Sequence, residues 1–328
     1  MAKFRIATYN VENLFDRFDD PYSDSDDGYG RFTSRPKSRS SLFDMGVRIR
    51  ENGVSPSKPI DIVGLQEIEN FGALLDFAQA SVGPDYGAKT GIVSQPSNDA
   101  RGIDLGMLVR SEMFRIGRVT SHRFKKFSRA DGKSYQFGRD CLQVEVLAKA
   151  TSELFLTAFV CHFKSKYTRT DRFQNPTAYA AEQKVNDAKR NAEARQVVRI
   201  VRDAVDIATD RFVILGDLND TPASETLEPL LAGGDVDSVG DGLTLHNGVS
   251  LLAQADTSAS STTRRARDTH YWNRPINAAG ETESDWAQID YILCSDELWK
   301  LRTGVAGVVN SPKDQGSDHY LSYVEFET

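Results

Sequence analysis

Short apolar runs that alternate with helical patterns limit the folds that this chain can adopt. The runs cover residues 4–11, 60–68, 105–110, 142–148, 154–163, 212–218, 289–294 and 320–326. Several are apolar through most of their length, which is typical of strands covered on both faces. The longest helical pattern, over residues 178–209, repeats apolar side chains at three- and four-residue steps, and a shorter helix is predicted to begin at Asn70. The sequence therefore predicts an α/β (α+β) fold in which packed sheets carry helices outside.

The composition indicates a single globular domain. The chain has 328 residues, and no Pro/Gly/Ser-rich linker divides it, so we expect one domain over residues 1–328. No apolar run approaches the length of a membrane span, and the first residues lack the pattern of a secretory signal. Cys141, Cys161 and Cys294 lie in apolar runs, which favours reduced thiols over disulfides. We therefore expect a cytoplasmic monomer without a membrane span.

The charge distribution limits the modes of nucleic-acid binding. A net charge of −7 argues against a protein that coats nucleic acid through a broad basic surface. Positive charge is concentrated in segments 122–129, 164–172 and 264–267, the last followed by Arg274, and each segment lies near aromatic residues. This composition suits phosphate contact and base stacking, although each segment alone is also typical of a solvated loop.

Polar side chains end several of the apolar runs. They are Asn10, Gln66, Glu67, His162, Lys164, Asp217, Asn219 and Asp290, and Ser317, Asp318 and His319 precede the last run. Each one alone fits a turn, a helix cap or a buried polar residue. If the sheets gather these ends at one edge, the carboxylates, carboxamides and imidazoles form a common pocket.

This set of side chains favours one class of chemistry. Carboxylate and amide oxygens without thiolates favour a hard cation such as magnesium, manganese or calcium over zinc. The sequence has no HxxxH or CxxC zinc spacing, no GxxxxGK[ST] phosphate loop and no GxSxG nucleophile turn. Among the reactions considered, metal-assisted hydrolysis of a phosphate ester is the one that these side chains favour.

Six motifs carry a family resemblance. TYNVENLF, GLQEIEN, CHFKS, GDLND, QIDYIL and GSDH occur in this order between Asn10 and His319. The set resembles the endonuclease/exonuclease/phosphatase superfamily of deoxyribonuclease I-like proteins. The resemblance implies a four-layer α-β-β-α sandwich of two packed mixed sheets, with one active site at their edge.

The resemblance also implies roles for individual residues. Glu67 would be the principal ligand of a catalytic magnesium, for which manganese is an alternative, with Asn10 and Asp318 nearby. Asp217 would orient or deprotonate the attacking water, and Asn219 would donate a hydrogen bond to a phosphoryl oxygen.

The same resemblance assigns the imidazoles. Asp290 would hold His319 in its productive tautomer, and His319 would act as a general base or contact the phosphoryl group. The resemblance does not decide which group accepts the proton of the attacking water. His162 would protonate the leaving oxygen or stabilise the pentacovalent state. Because abasic-site endonucleases resemble this chain but have tyrosine there, the histidine argues against a dedicated abasic-site enzyme.

Further charged residues are candidates for contact with a substrate phosphate. Arg101, Arg110 and Lys164 could reach it, and a structural salt bridge is an equal alternative for the two arginines. Arg195 lies on the apolar stripe of the long helix, so its guanidinium either extends to the edge or meets a buried acceptor. The acidic segment 16–27 is a weaker candidate for calcium binding, because its spacing departs from the EF-hand pattern.

The functional prediction is a magnesium-dependent nuclease that acts on nucleic acid. The alternative is a phosphatase or phosphodiesterase for a small phosphorylated molecule or lipid headgroup, of the inositol-phosphate or sphingomyelinase type. A binding module that has lost catalysis is a third interpretation. Intact Glu67, Asp217, Asp290 and His319 count against that third interpretation.

Overall fold

Two mixed β-sheets form the centre of the protein. The computed structural model describes residues 2–16, 36–51, 58–86, 90–129, 132–231, 237–240, 243–255, 266–275, 277, 281–309 and 316–328. The acidic segment 16–27, apart from residue 16, and residues 264–265 of the third basic segment lie outside these ranges. The side chain of Arg274 lies outside them as well.

The first sheet has six strands. In order across the sheet they are β16 (Arg302–Val308), β17 (Ser322–Glu327), β1 (Lys3–Leu14), β2 (Ile62–Ile68), β4 (Asp104–Val109) and β3 (Ile92–Gln95). Strands β1 and β2 are parallel, and the other neighbours are antiparallel. The parallel pair brings the carboxyl ends of β1 and β2 to the same edge of the sheet.

The second sheet has seven strands. In order they are β11 (Asp237–Gly240), β12 (Leu243–Asn247), β15 (Asp290–Cys294), β10 (Phe212–Asp217), β9 (Leu154–His162), β8 (Cys141–Ala148) and β5 (Phe114–Ser121). Here β9 and β10 are the parallel pair. Two separate hairpins join β6 (Phe127–Ser128) to β7 (Ser134–Tyr135), and β13 (His270–Pro275) to β14 (Thr282–Ala287).

Helices of three types, α, π and 3-10, accompany the sheets. They are α1 (Arg39–Glu51), α2 (Phe71–Phe77) continued by a π-helical turn (Ala78–Val82), α3 (Pro176–Ala204), α4 (Glu228–Leu231), a 3-10 helix (Gly248–Ala255) and α5 (Asp296–Trp299). Asn70 caps α2 as predicted, because its Oδ1 accepts a 2.8 Å hydrogen bond from the backbone N–H of Ala73. Helix α3 ends at Ala204 rather than near residue 209, because Val205 adopts an extended conformation.

Three apolar cores hold four layers together. Phe4 and Ile62 of the first sheet pack against Val160, Leu215 and Ile292 of the second in a buried central core. A second core lies between the first sheet and helices α1 and α2, and a third lies between the second sheet and α3. The structure therefore confirms the four-layer α-β-β-α sandwich.

The predicted strands all exist, and the strands at the sheet edges were missed. Each predicted run corresponds to one strand, with ends that differ by a few residues. Strands β3, β5, β11 and β16 occupy the four edges of the two sheets, and the sequence predicted neither them nor the short interior strand β12. Strands β5 and β16 are half-exposed along most of their length, so they lack the continuous apolar run of a covered strand. The three cysteines are buried and form no disulfide.

A buried ionic cluster fastens the last strand to the first. Glu325 of β17 is 2% exposed, and its carboxylate lies 3.1 Å from the guanidinium of Arg5, 3.3 Å from Lys58 Nζ and 3.5 Å from Lys3 Nζ. Burial alone would raise the pKa of Glu325, but the hydrogen bonds and charges of Lys58 and Arg5 lower it below its usual value. The ionised carboxylate therefore stabilises the fold.

We expect Glu325→Gln to lower the free energy of unfolding by about 3 kcal/mol at neutral pH, because Arg5 would stay buried without a counter-charge. Since the folded pKa is lowered, this stabilisation is complete above the pKa of the unfolded chain and is lost as the pH falls through the folded value. Denaturant titrations from pH 7 to pH 3 measure it. The control Glu145→Gln breaks an exposed pair with Arg118 and should cost less than about 1 kcal/mol. Equal losses in the two variants would contradict the expectation.

Candidate active site

Strand register places three of the predicted residues side by side. In the second sheet, Asp217 pairs with His162 on the neighbouring strand β9 and with Asp290 on the neighbouring strand β15. Because β9 and β10 are parallel and β15 is antiparallel to them, the last residues of β9 and β10 lie beside the first residue of β15, at the same end of the strands. In the first sheet, Asn10 of β1 pairs with Gln66 of β2, and Glu67 follows at the end of β2.

Asp217 connects the two sheets. The Nδ2 group of Asn10 donates a 3.1 Å hydrogen bond to Oδ2 of Asp217. The backbone N–H of Asn219 donates to Oδ1 at 2.8 Å, and its Nδ2 group donates to Oδ2 at 3.2 Å. Burial raises the pKa of Asp217 to about 7, against the opposing charge of His319. The carboxyl group therefore titrates near neutral pH.

His319 is held by Asp290 and is positively charged. Its Nδ1 lies 2.9 Å from Oδ2 of Asp290, and its Nε2 lies 3.8 Å from Oδ2 of Asp217. Burial opposes protonation, but the charges of Asp290, Asp318 and Asp217 raise the pKa of His319 well above its usual value. The Nδ1–H group is directed at Asp290, so Nε2–H faces the centre of the site.

His162, in contrast to His319, is neutral. Its Nε2 lies 3.6 Å from Oδ2 of Asp217 and 3.9 Å from Oε1 of Glu67, and the side chain is 2% exposed. Burial, followed by the charges of Arg139 and Arg101, lowers the pKa of His162 well below its usual value. One site thus holds a neutral and a charged imidazole, separated by the Asp217 carboxylate.

Three carboxylates gather at the end of the first sheet. Oε2 of Glu67 accepts a 3.1 Å hydrogen bond from the backbone N–H of Asn13. The backbone N–H of Asp318 donates to Oε2 of Glu12 at 3.1 Å, and Nζ of Lys37 lies 3.8 Å from the same oxygen. Burial and the charge of Asp318 raise the pKa of Glu12, so the carboxylates repel one another.

These residues fit a hard divalent cation. Among the described residues, two groups of three side chains are close enough to hold an ion, Asp217–Asp290–His319 and His270–Asp318–His319, and Glu67 belongs to neither. Both include His319, whose Nδ1 already contacts Asp290 at 2.9 Å. The carboxylates of Glu67, Glu12 and Asp318 are the other candidate ligands, and a bound cation would relieve the repulsion that helps to raise the pKa of Glu12.

The backbone is strained at this edge. Glu12, Asn13, Glu67 and Asn219 adopt left-handed conformations with φ between 45° and 65°, and Ser152 is the one other such non-glycine residue in the described ranges. Non-glycine residues held in this region cluster at functional sites. Gly216 precedes Asp217 with φ of 148°, and a β-carbon there would lie 1.9 Å from the carbonyl oxygen of Cys161. Only glycine fits that position.

Cationic side chains lie on the Glu67 side of the site. Nη2 of Arg101 is 4.0 Å from Oε1 of Glu67, and Asp99 joins Arg101 to the buried Arg139 through contacts of 3.1 Å and 2.9 Å. Burial and the charge of Arg139 lower the pKa of Lys164 to about 8. The charges of Arg101 and Lys164 also help to lower the pKa of His162, so both side chains lie near this ring. Their contact with a substrate phosphate stays a prediction.

The other two predicted phosphate contacts need correction. Arg110 follows β4, which runs antiparallel to β2, so it lies at the opposite edge of the sheet from Glu67. Its guanidinium forms a salt bridge of 2.5 Å with Asp61 and a second with Glu112, which makes it a structural residue. Arg195 is exposed on α3 and donates to Asn191 one turn earlier, so the geometry supports the extended conformation rather than phosphate contact.

The buried arginine of α3 is Arg190, which the sequence did not single out. It is 0% exposed, donates from Nε to Asp220 at 3.1 Å and from Nη1 to the carbonyl of Lys164 at 2.9 Å. It therefore fixes the chain after β9 to the loop after β10.

Three other missed residues are at the site: Glu12 in the first motif, Lys37 and His270. Glu12 lies two residues after Asn10, so the first motif already contained its signal.

A family model agrees with this site. The model described as Endonuclease/Exonuclease/phosphatase family matches residues 5–265. The chain belongs to the endonuclease/exonuclease/phosphatase family. Members of this family are hydrolytic phosphoesterases that generally depend on a divalent metal, and no curated protein sequence matches the chain. The match ends before Asp290 and His319, so the membership of these two residues in the site rests on the geometry.

Solved structures of the endonuclease/exonuclease/phosphatase type share the fold. The human Nocturnin catalytic domain with bound sulfate aligns with a TM-score of 0.57 and 13% identity, covering 99% of this chain and 93% of that one. Zebrafish (D. rerio) TDP2 complexed with single-strand DNA product gives 0.54 and 13%, with full coverage of both chains. Bacteroides thetaiotaomicron mannosyl-6-phosphatase gives 0.53 and 16%, with 98% of each chain covered. These similarities establish the fold.

Proposed function

We propose that this protein is a magnesium-dependent phosphodiesterase that hydrolyses nucleic acid. The observation that carries the proposal is the contact between Asp217 and both sheets, with a neutral His162 on one side and a charged His319 on the other. This arrangement offers a base, a cationic donor and a neutral donor around one point beside a carboxylate cluster. Phosphoryl transfer depends on such positioning and electrostatic stabilisation.

Glu67 is the proposed principal ligand of the metal, with Asn10, Glu12 and Asp318 supplying further oxygens. A bound magnesium or manganese would neutralise charge on the phosphoryl oxygens. The left-handed backbone conformations of Glu67 and Glu12 support this role, because strained non-glycine residues cluster at functional sites.

Asp217 is the proposed general base. Its pKa of about 7 suits the removal of a proton from water near neutral pH, and its hydrogen bonds from Asn10 and Asn219 fix its orientation. His319 is already protonated at that pH, which favours contact of Nε2–H with a phosphoryl oxygen over the role of base. Asn219 would donate a second hydrogen bond to the phosphoryl group.

His162 is the proposed donor of a hydrogen bond to the transition state. The lowered pKa keeps the ring neutral, which favours stabilisation of the pentacovalent state over complete proton transfer to the leaving oxygen. Arg101 and Lys164 are proposed to contact substrate phosphates from the same side. The similarity to a TDP2 complex with single-strand DNA product supports a nucleic-acid substrate.

A small phosphorylated molecule is the second candidate substrate. The net charge of −7 and the similarity to a mannosyl-6-phosphatase favour it. Hydrolysis of bis-p-nitrophenyl phosphate with magnesium, abolished by chelation, tests the phosphodiesterase itself. A panel of plasmid DNA, single-stranded oligonucleotides, RNA and inositol phosphates then separates the substrates. Turnover of the small molecules alone would exclude the nuclease.

Glu67→Gln should raise the magnesium concentration needed for half-maximal activity by at least about tenfold, because a neutral amide replaces the principal ligand. Calorimetric titration with manganese should show a matching loss of affinity in the absence of substrate. Glu69→Gln is the matched control, since Glu69 accepts a hydrogen bond from Asp16 beside the site and is not assigned to the metal. Unchanged metal affinity in Glu67→Gln would overturn the ligand assignment.

A further inference from the structure

A cavity of about 990 Å³ adjoins the candidate active site. One wall is the segment 166–174 with the first turns of α3, and the other is the hairpin β13–β14. Asn219, Thr221 and Ile289 also line it. The cavity opens directly onto the site, because Asn219 contacts Asp217 and the His270 ring in the wall lies 4.5 Å from the His319 ring, centre to centre.

Aromatic side chains from both walls line the cavity. Tyr167, Phe173 and Tyr179 come from the segment and helix α3, and Trp272 and Trp286 come from the hairpin. Trp286 packs against Tyr271 and Tyr320, which fixes it in the wall. Aromatic surfaces of this kind bind planar rings by stacking, and each stacked nucleobase contributes about 1–3 kcal/mol.

The charge of the cavity distinguishes it from a groove for a polyanion. Its charged lining residues, within the described part of the chain, are Lys166 and Arg172 against Asp171 and Asp285, so the charges balance. Arg172 lies over the ring of Phe173, 4.7 Å from the centre. A groove that follows several phosphates of a duplex needs an excess of cations, and this lining lacks one. A neutral ring fits better.

The volume sets the size of the ligand. About 990 Å³ is at the upper end of the pockets that enclose one small molecule, and it is far too small for a stretch of duplex. A nucleobase stacked on these aromatic side chains would carry its phosphate near Asn219, which lines the cavity and contacts Asp217.

We propose that this cavity binds one unpaired nucleobase of the substrate, so that the enzyme acts on nucleotides in single-stranded or frayed nucleic acid. The inference rests on the proposed function for its place in the reaction. Its binding step is independent of that function, since stacking needs neither the metal nor turnover.

Binding of three probes without metal tests the proposal. In buffer with EDTA, calorimetry measures the affinity of 5′-AMP, adenosine and ribose 5-phosphate for the wild-type chain. We expect 5′-AMP and adenosine to bind and ribose 5-phosphate to bind at least about tenfold more weakly, because it lacks the base. Equal or tighter binding of ribose 5-phosphate would overturn the nucleobase assignment and favour a sugar phosphate.

Variants of Trp272 test whether 5′-AMP binds in this cavity. Trp272→Ala should weaken 5′-AMP binding by about tenfold or more, and Trp272→Phe should keep most of the affinity because the ring is retained. Trp299→Phe is the matched control, since Trp299 stacks on His246 outside the cavity. If the folded Trp272→Ala protein, checked by circular dichroism, binds 5′-AMP like wild type, the cavity is not the nucleobase site.

The two proposals fail separately. Hydrolysis of bis-p-nitrophenyl phosphate without 5′-AMP binding would retain the phosphodiesterase and overturn the nucleobase cavity. Binding of 5′-AMP with loss in Trp272→Ala, but without metal-dependent hydrolysis of any ester, would retain the cavity and overturn the proposed reaction.

Discussion

The Asp217→Asn variant should hydrolyse bis-p-nitrophenyl phosphate roughly 100- to 10,000-fold more slowly than wild type, yet fold at least as stably. The rate falls because the amide cannot accept a proton from water, although it has nearly the same shape. Oδ2 of Asp217 accepts from Asn10 and from Asn219, so removal of the charge also weakens the orientation of both amides.

The stability of this variant follows from the raised pKa of Asp217. Burial raises that pKa from 3.8 to about 7, so the folded protein binds a proton that the unfolded chain has released. Stability therefore decreases as the pH rises from about 4 to about 7, and the buried carboxylate is destabilising above that window. Asparagine removes the titration, so its melting temperature at pH 7.5 should equal or exceed that of wild type.

The pH–rate profile checks the catalytic part of this prediction, as the melting temperature checks its stability part. The pH–rate profile of wild type should rise toward a plateau with an apparent pKa at or below about 7, since a bound cation favours the carboxylate, and Asp217→Asn should lack that limb. Asp210→Asn is a control at the opposite end of β10, and it should keep the wild-type rate and profile. A fast Asp217→Asn enzyme with an unchanged profile would show that another group is the base.

His319→Ala should also lose roughly 100- to 10,000-fold in turnover, because the site loses its charged donor to the phosphoryl group. The ring is buried and held by Asp290 at 2.9 Å, so water cannot reproduce its position. Asp290→Asn should lose less, since the ring remains but its tautomer and charge are no longer fixed. Added imidazole should restore part of the activity of His319→Ala.

A matched control separates this loss from a general effect of histidine removal. His246 pairs with Asp296 at 2.6 Å and stacks on Trp299, at the end of β15 opposite to Asp290. His246→Ala should therefore keep turnover within about twofold of wild type. A His319→Ala enzyme that works at the wild-type rate would overturn the role of this residue.

The sequence alone predicted the fold, the polar ends of the covered strands and most of the residues of the candidate site. Strands covered on both faces are continuously apolar, so the point at which each run ends in Asn10, Glu67, His162 or Asp217 is visible in one dimension. The half-exposed edge strands β5 and β16 lack such runs, and they were not predicted for that reason.

The direction of each strand, by contrast, is a property of the folded protein. Arg101 and Arg110 flank the same strand β4, yet only Arg101 lies near Glu67, because the two ends of a strand belong to opposite edges of the sheet. The sequence left open whether Arg195 of α3 extends to solvent or meets a buried acceptor; in the folded protein Arg195 is exposed, and the buried arginine of this helix is Arg190.

The charge states and the cavity also depend on residues that are distant in sequence. His162 and His319 are the same residue type, but burial and nearby positive charges lower the pKa of His162, whereas carboxylates raise the pKa of His319 against the effect of burial. The walls that contribute Tyr179 and Trp272 are far apart in the chain and meet only through folding. Local sequence therefore determined which chemical groups this protein presents, whereas tertiary packing determined their protonation and the shape of the ligand that they can accept, because both depend on contacts across the chain.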